Sequence, residues 1–299
     1  MTLAAQLKGL LMLIIGSSLG LLFLLPMLLL ALLKAILPGS TKLCTPMLIN
    51  LAQSYIRLSH AIYYRLYRPD WQLDIDPAIN PQEGCVVICN HQSWTDIPLL
   101  IFALHQRVPF PTFFLKEELR WVPLIGWAAW ALDYPFLRRH SAEAIAQNPA
   151  LREEDARSTA KSCAKLKNRI PCLINFAEGT RFTHQKQQQT ASPYQHLLRP
   201  KAGALNYALM HLQDQIPVIL DATLIYQGTT PGFWRFLCGK PGAVELQVKR
   251  LTVPARLKPA DKESGERLRA ETKNWLEQRW LEKDQLIELR LSRFTVNPR

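Results

Sequence analysis

From Leu10 to Leu33 the chain carries no charged residue, and leucine dominates the run. At about 1.5 Å per helical residue it reaches roughly 36 Å, enough to cross a hydrocarbon core about 30 Å thick. A secretory signal is the competing reading. Its apolar region would be shorter, roughly 7–15 residues, and no clear small-residue cleavage site follows here. Residues 1–40 are therefore expected to form an uncleaved membrane anchor. Pro26 leaves open a single kinked span or a re-entrant hairpin in one leaflet.

Cations are denser after this run (Lys34, Lys42, Arg57, Arg65, Arg68) than before it, where only Lys8 and the amino terminus lie. The positive-inside rule then places the bulk of the chain on the cytoplasmic side. The net charge of +12 needs a partner. No motif for reading bases is present, so nucleic acid is not expected and an anionic membrane surface is. Cys44, Cys85, Cys89, Cys163, Cys172 and Cys238 show neither zinc spacing nor a dense disulfide framework. Cys85 and Cys89 sit in an apolar run and read as buried thiols.

Residues 41–70 carry apolar side chains at helical intervals (Leu48, Leu51, Tyr55, Leu58, Ile62, Leu66) with arginines between them. This pattern predicts an amphipathic helix, lying either against the bilayer or on a folded domain. From Trp71 short strand-like runs follow: Cys85–Cys89, Pro111–Leu115, Pro171–Phe176, Pro217–Tyr226 and Val244–Leu251. Helical patterns at 97–106, 151–168, 201–213 and 261–291 alternate with them. The expected fold is α/β, a mostly parallel or mixed central sheet covered by helices over residues 71–260, with a helical tail at 261–299. The polar segment Thr183–His196 reads as an exposed loop.

Asn90-His91-Gln92-Ser93-Trp94-Thr95-Asp96 directly follows the first buried strand. Histidine is the usual base near neutral pH, and a carboxylate fixes its tautomer. Five residues of ideal helix would turn the two side chains roughly 140° apart, so their partnership requires a turn. Asp96 is expected to cap the helix that follows, with Pro98 in its first turn. Sites in α/β sheets form beyond the carboxyl ends of strands, where this pair falls.

Two further constellations are cationic. Phe176-Ala177-Glu178-Gly179-Thr180-Arg181 closes the strand at 171–176, and an arginine on a glycine-containing turn grips phosphate or carboxylate oxygens at two points. Lys116 follows the run at 111–115, and Arg138-Arg139 follow Phe136-Leu137. Three such clusters are what a phosphorylated substrate needs. Between them the apolar stretch from Trp121 to Trp130 reads as a buried helix or a membrane-facing surface.

In this order the motifs resemble the glycerolipid acyltransferase family of PlsC type, over about residues 71–225. Asn90, His91 and Asp96 match its first block, and Phe136, Arg138 and Arg139 match the second more loosely. Phe176, Glu178, Gly179, Thr180 and Arg181 match the third intact, and Pro217-Val218 the fourth. The resemblance implies transfer of a fatty acyl group from acyl-CoA or acyl carrier protein to lysophosphatidate. His91 and Asp96 are then catalytic. Lys116, Arg138, Arg139, Glu178, Gly179, Thr180, Arg181 and Pro217 line the substrate site. No metal-ligand set or nucleotide-binding glycine motif appears in the sequence, so no metal and no cofactor beyond the donor's carrier is expected, and the expected place is a bacterial inner membrane with the catalytic domain on the cytoplasmic face. The polar insertion after Arg181, running to Leu198-Arg199-Pro200-Lys201-Ala202-Gly203, looks more like the branch that includes lysocardiolipin acyltransferases. Acylation of lysophosphatidylglycerol or lysocardiolipin is the alternative. A non-catalytic basic membrane scaffold is the alternative of another class, and the intact His–Asp and Glu-Gly-Thr-Arg elements speak against it.

Overall fold

Alternate residues of the apolar strands feed two different cores, which is why those strands show no polar face. The computed structural model describes residues 1–137, 147–148, 150–151, 157, 164–228, 230–259 and 265–296. A six-stranded mixed sheet has the order β1 (Trp71–Ile75), β8 (Ala243–Thr252), β7 (Val218–Gln227), β2 (Cys85–Cys89), β6 (Cys172–Phe176), β3 (Pro111–Phe113). Strands β2, β3, β6 and β7 are mutually parallel, β8 runs antiparallel to β7, and β1 is parallel to β8. A second, two-stranded parallel pair joins β4 (Leu115–Lys116) to β5 (Phe136–Leu137), so the expected strand at 111–115 is two short ones.

Val86, Ile88, Leu173 and Ile219 face one core. It is completed by helix α6 (Gly203–Leu212) and by Trp275, Leu276, Trp280 and Ile287 of helix α8 (Gly265–Val296). Val87, Cys89, Ile174, Leu220 and Ala222 face the other, against Leu99 and Leu100 of helix α3 (Asp96–Ala103). Burial on both sides is what parallel strands require. Helix α8, which covers most of the expected helical tail, packs into the core of the domain. Full burial of an aliphatic side chain such as Leu276 stabilises the fold by about 1.5–3 kcal/mol, so α8 belongs to the domain. Its Lys283 is buried, donating to Asp221 Oδ1 (2.6 Å), Thr223 Oγ1 (3.1 Å) and the Ala222 carbonyl of β7.

Helix α1 (Leu3–Ile36) runs through Pro26 without a break, and the chain reverses only at residues 37–40, before helix α2 (Thr41–Tyr67). The hairpin is thus α1 against α2, with no reversal at Pro26. Helix α2 is sandwiched between α1 and the domain, burying Leu48, Ala52 and Tyr63. Both ends of α1 touch the domain side. Near its start Tyr67 Oη donates to the Lys8 carbonyl (3.0 Å), and Gly9 lies so close to helix α7 (Phe233–Leu237) that a Cβ there would sit 2.5 Å from Cys238 Sγ. Near its end Lys34 pairs with Asp133, beside helix α4 (Ile125–Ala131). The outward face stays apolar and exposed, as at Leu22 (67%) and Leu25 (65%). By length and composition α1 is able to cross a membrane. The five described cysteines (Cys44, Cys85, Cys89, Cys172 and Cys238) are buried free thiols.

Candidate active site

The carboxyl ends of β2, β6, β7 and β3 point the same way, and each delivers one part of the site. After β2 the backbone leaves the sheet at Asn90, whose side chain pairs with Leu224 of β7. Asn90 Nδ2 donates to the Leu224 carbonyl, and Oδ1 accepts the Leu224 N–H, both at 2.8 Å. This two-way bond substitutes for a sheet rung and fixes where His91 emerges.

Between His91 and Asp96 lies a tight turn, as the rotation argument required. His91 Nδ1 meets Asp96 Oδ2 at 2.8 Å, which makes Nδ1–H the donor and leaves Nε2 as the basic nitrogen. Asp96 is fully buried. The same Oδ2 accepts the N–H groups of Gln92 (2.6 Å) and Ser93 (2.9 Å), and Oδ1 accepts from Tyr226 Oη (2.5 Å). The expectation that Asp96 caps α3 is corrected here. Helix α3 starts at Asp96 with Thr95 before it, and the carboxylate bonds backwards into the turn. Four donors on one buried carboxylate leave the imidazole a single orientation.

The turn after β6 grips His91 from the other side. Glu178 Oε1 accepts the His91 N–H (3.0 Å), the Phe182 N–H donates to the His91 carbonyl (2.7 Å), and the Phe176 ring stacks on the imidazole at 4.2 Å. Glu178 Oε2 accepts the Leu198 N–H (3.0 Å), tying in the end of the polar insertion. Burial pushes the Glu178 carboxyl up to about 8, opposed by its two backbone donors and by Lys283, and assisted by Asp96. Gly179, at φ +69°, takes the left-handed turn, and a Cβ there would press within 3.3 Å of Lys201.

Beside the imidazole lies a cleft of about 430 Å³, lined among others by His91, Lys116, Phe176, Gly179, Lys201 and Ala204. Lys116 and Lys201 bring cations to it from β4 and from the residues before α6. Arg181 stands outside this lining, exposed, with its guanidinium 4.9 Å from the centre of the Trp94 ring. Thr180 accepts from Lys186 Nζ (2.8 Å), in helix α5 (His184–Gln189) of the insertion, so that segment is not wholly a loop. Pro217 does not join the site. It precedes β7 at the end paired with Cys85, remote from His91, and lines a different cavity with Gly84 and Arg169. Arg138, Arg139, Cys163 and most of the expected helix 151–168 lie outside the described residues. Among the described residues no group of three His, Cys, Asp or Glu side chains converges as a metal ion needs.

Tyr226 and Lys201 were not singled out from the sequence. Tyr226 ends the predicted strand 217–226, and the strand-end rule applied to His91 reaches it equally. Lys201 follows Pro200 and opens the predicted helix 201–213, a position where a cation and helix N–H groups meet.

Residues 73–221 match the family model described as Acyltransferase. The chain is 27% identical to 1-acyl-sn-glycerol-3-phosphate acyltransferase 2 of Brassica napus, over 69% of this chain and 52% of that protein. The enzyme of the same name from Brassica oleracea is 30% identical over 56% and 44%, and the delta enzyme of Rattus norvegicus 27% over 71% and 55%. The chain thus spans about half the length of these relatives. Its fold is that of the 1-acyl-sn-glycerophosphate (LPA) acyltransferase PlsC from Thermotoga maritima, with a TM-score of 0.51 at 18% identity over 92% of this chain and 97% of that one. With the His91–Asp96 turn and the Glu178–Arg181 turn both inside the matched residues, the chain belongs to the PlsC-type acyltransferase family.

Proposed function

We propose that this protein is a membrane-bound O-acyltransferase that moves a fatty acyl group from an acyl thioester, acyl-CoA or acyl carrier protein, to the free hydroxyl of lysophosphatidate. The observation that carries the reading is the His91–Asp96 contact of 2.8 Å, held by a buried carboxylate and presented to a cleft with two lysines. His91 Nε2 takes the proton as the acceptor oxygen attacks the thioester carbonyl. Asp96 offsets the charge that grows on the ring, as in a hydrolase triad with the acceptor hydroxyl replacing serine. The C–S bond then breaks, and the imidazolium returns its proton to the departing thiolate. Thiolate leaves readily, so one base and good positioning suffice.

Lys116 and Lys201 supply charge for a phosphate, and Arg181 adds a guanidinium at the rim. The acceptor in the relatives' names, 1-acyl-sn-glycerol-3-phosphate, carries such a group and favours lysophosphatidate over a lysolipid with a larger head group. The outward leucines of α1 are exposed, as are Trp121, Trp127 and Trp130 on and before α4, which packs against α1, and such exposed apolar and tryptophan side chains suit a membrane interface. Because both ends of α1 rest on the domain, we place these side chains in the cytoplasmic leaflet with α1 in the membrane plane. The test is an assay of the purified chain with acyl-CoA and a panel of lysolipids. Phosphatidate formed from lysophosphatidate in preference to head-group lysolipids is the expected result. A preference for lysophosphatidylglycerol or lysocardiolipin moves the acceptor assignment, and transfer to none of them removes the reading.

A further inference from the structure

Asp96 divides its bonds unevenly. Oδ2 serves His91 and two backbone N–H groups, whereas Oδ1 accepts from the phenol of Tyr226 at 2.5 Å. Tyr226 is buried near the carboxyl end of β7, opposite Val244 of β8. Its ring belongs to the core beneath α3, so the phenol is aimed by packing. The chain just beyond closes over the same turn, where Ser93 Oγ and Thr95 Oγ1 both donate to the Pro231 carbonyl. Burial and the Asp96 charge hold the Tyr226 phenol well above its ordinary range, so it stays a donor wherever His91 is able to act as a base.

We propose that Tyr226 is a positioning residue for the acyl transfer, setting through Asp96 both the orientation and the basicity of His91. A donor on Oδ1 withdraws charge from the carboxylate. It therefore lowers the stabilisation that Oδ2 gives to the imidazolium, and a stronger donor lowers it further. Removing the donor concentrates charge on the carboxylate, makes His91 harder to deprotonate and frees the carboxylate to rotate. The other ionisable groups around Asp96 are Cys89 of β2 and Glu178 after β6, with Lys283 of α8 acting on both. None of them bonds Oδ1, and all stay in place when Tyr226 alone is changed.

The inference rests on His91 being the base, so the experiment carries His91→Ala alongside. Full-length protein in detergent is assayed with acyl-CoA and lysophosphatidate across pH as wild type, Tyr226→Phe, and with 3-fluorotyrosine at position 226. Tyr226→Phe should lower kcat by about tenfold, the scale of a lost hydrogen bond to a charged group, with KM for both substrates nearly unchanged. The acid limb of kcat/KM should move to higher pH by about half a unit in Tyr226→Phe. It should move to lower pH with fluorotyrosine, whose phenol is the stronger donor. The fluorinated protein is nearly isosteric and carries the test even where Tyr226→Phe folds poorly. An acid limb that stays put in both altered proteins, with His91→Ala inactive, overturns the Tyr226 role and leaves the proposed reaction standing. A His91→Ala protein as active as wild type removes the base, and the Tyr226 role with it.

Discussion

Glu178 holds His91 by the backbone: its Oε1 accepts the His91 N–H at 3.0 Å while Oε2 accepts the Leu198 N–H at the same distance. One buried carboxyl thus joins the ends of β2 and β6 to the end of the polar insertion. The first and third blocks of the family resemblance are, in space, a single object.

That burial gives Glu178 a pH signature. An exposed glutamate titrates near 4.5, and this one near 8. Between those values the unfolded chain has released a proton that the folded chain keeps, so this group's contribution to stability falls as pH rises from about 4.5 to 8. Glu178→Gln cannot titrate, and its amide nitrogen faces one of the two backbone N–H groups. We expect it to be less stable than wild type by about 1–3 kcal/mol at pH 5, with the gap closing and the order reversing towards pH 8. Thermal unfolding in detergent across that range measures the gap, and a gap independent of pH contradicts the assignment.

Arg181 should matter most for an acceptor with a terminal phosphate. Arg181→Ala is expected to lower catalytic efficiency for lysophosphatidate by roughly tenfold to a hundredfold, and less for lysophosphatidylglycerol, whose phosphate is a diester. Arg181→Lys should restore only part, because lysine lacks the two-point grip. Trp94→Ala removes the ring beneath the guanidinium and should cost only a few-fold, matching about 0.5–1 kcal/mol for an exposed cation–π contact. Equal losses on both acceptors for Arg181→Ala would assign the arginine to the donor or to the fold.

Lys283 should be needed for folding although it lies beyond the matched family region. Lys283→Met leaves Asp221 buried without its cation, and a broken buried pair costs about 3–5 kcal/mol. The double change Lys283→Met with Asp221→Asn should recover much of that. A chain ending at Pro259 should not fold, since it uncovers the core that Trp275, Leu276 and Trp280 seal. Unfolding temperatures of the three proteins decide, and a freely folding truncation would contradict the role given to α8.

Much of this was legible because the strong signals are local. The strands at 85–89 and 172–176 are largely apolar runs, and a His91–Asp96 partnership at that spacing requires a turn by geometry. The bonds of Tyr226, Lys283 and Glu178 were not legible, because each joins elements far apart in the chain through a single side chain. Asp96 shows the same limit on a smaller scale. Its residue type and position suit a cap, yet a histidine, two N–H groups and a phenol outcompete the helix for its oxygens. Pro217 carries a block of the family resemblance yet lies at the opposite end of β7 from the site. The 34-residue apolar helix looks in sequence like a span, and only its contacts at Lys8 and Lys34 show that it lies along the domain.

Those contacts set a topological expectation. Cysteines introduced at Thr2 and at Leu37, in a chain with Cys163 changed to Ser and whose five described thiols are buried, should be labelled from the same side of a sealed vesicle. Leu22→Asp with Leu25→Asp should weaken membrane binding in flotation, since both side chains face outward. Labelling of the two ends from opposite sides would mean that α1 crosses the bilayer.

The most direct measurement is turnover of lysophosphatidate and acyl-CoA by purified His91→Ala and Asp96→Asn, with folding checked by thermal unfolding. His91→Ala should lose about a hundredfold or more in kcat while folding as wild type does, the scale of a missing general base. Asp96→Asn should also lose turnover, with KM for either substrate comparatively unaffected. A folded His91→Ala protein that turns over at the wild-type rate would contradict the mechanism.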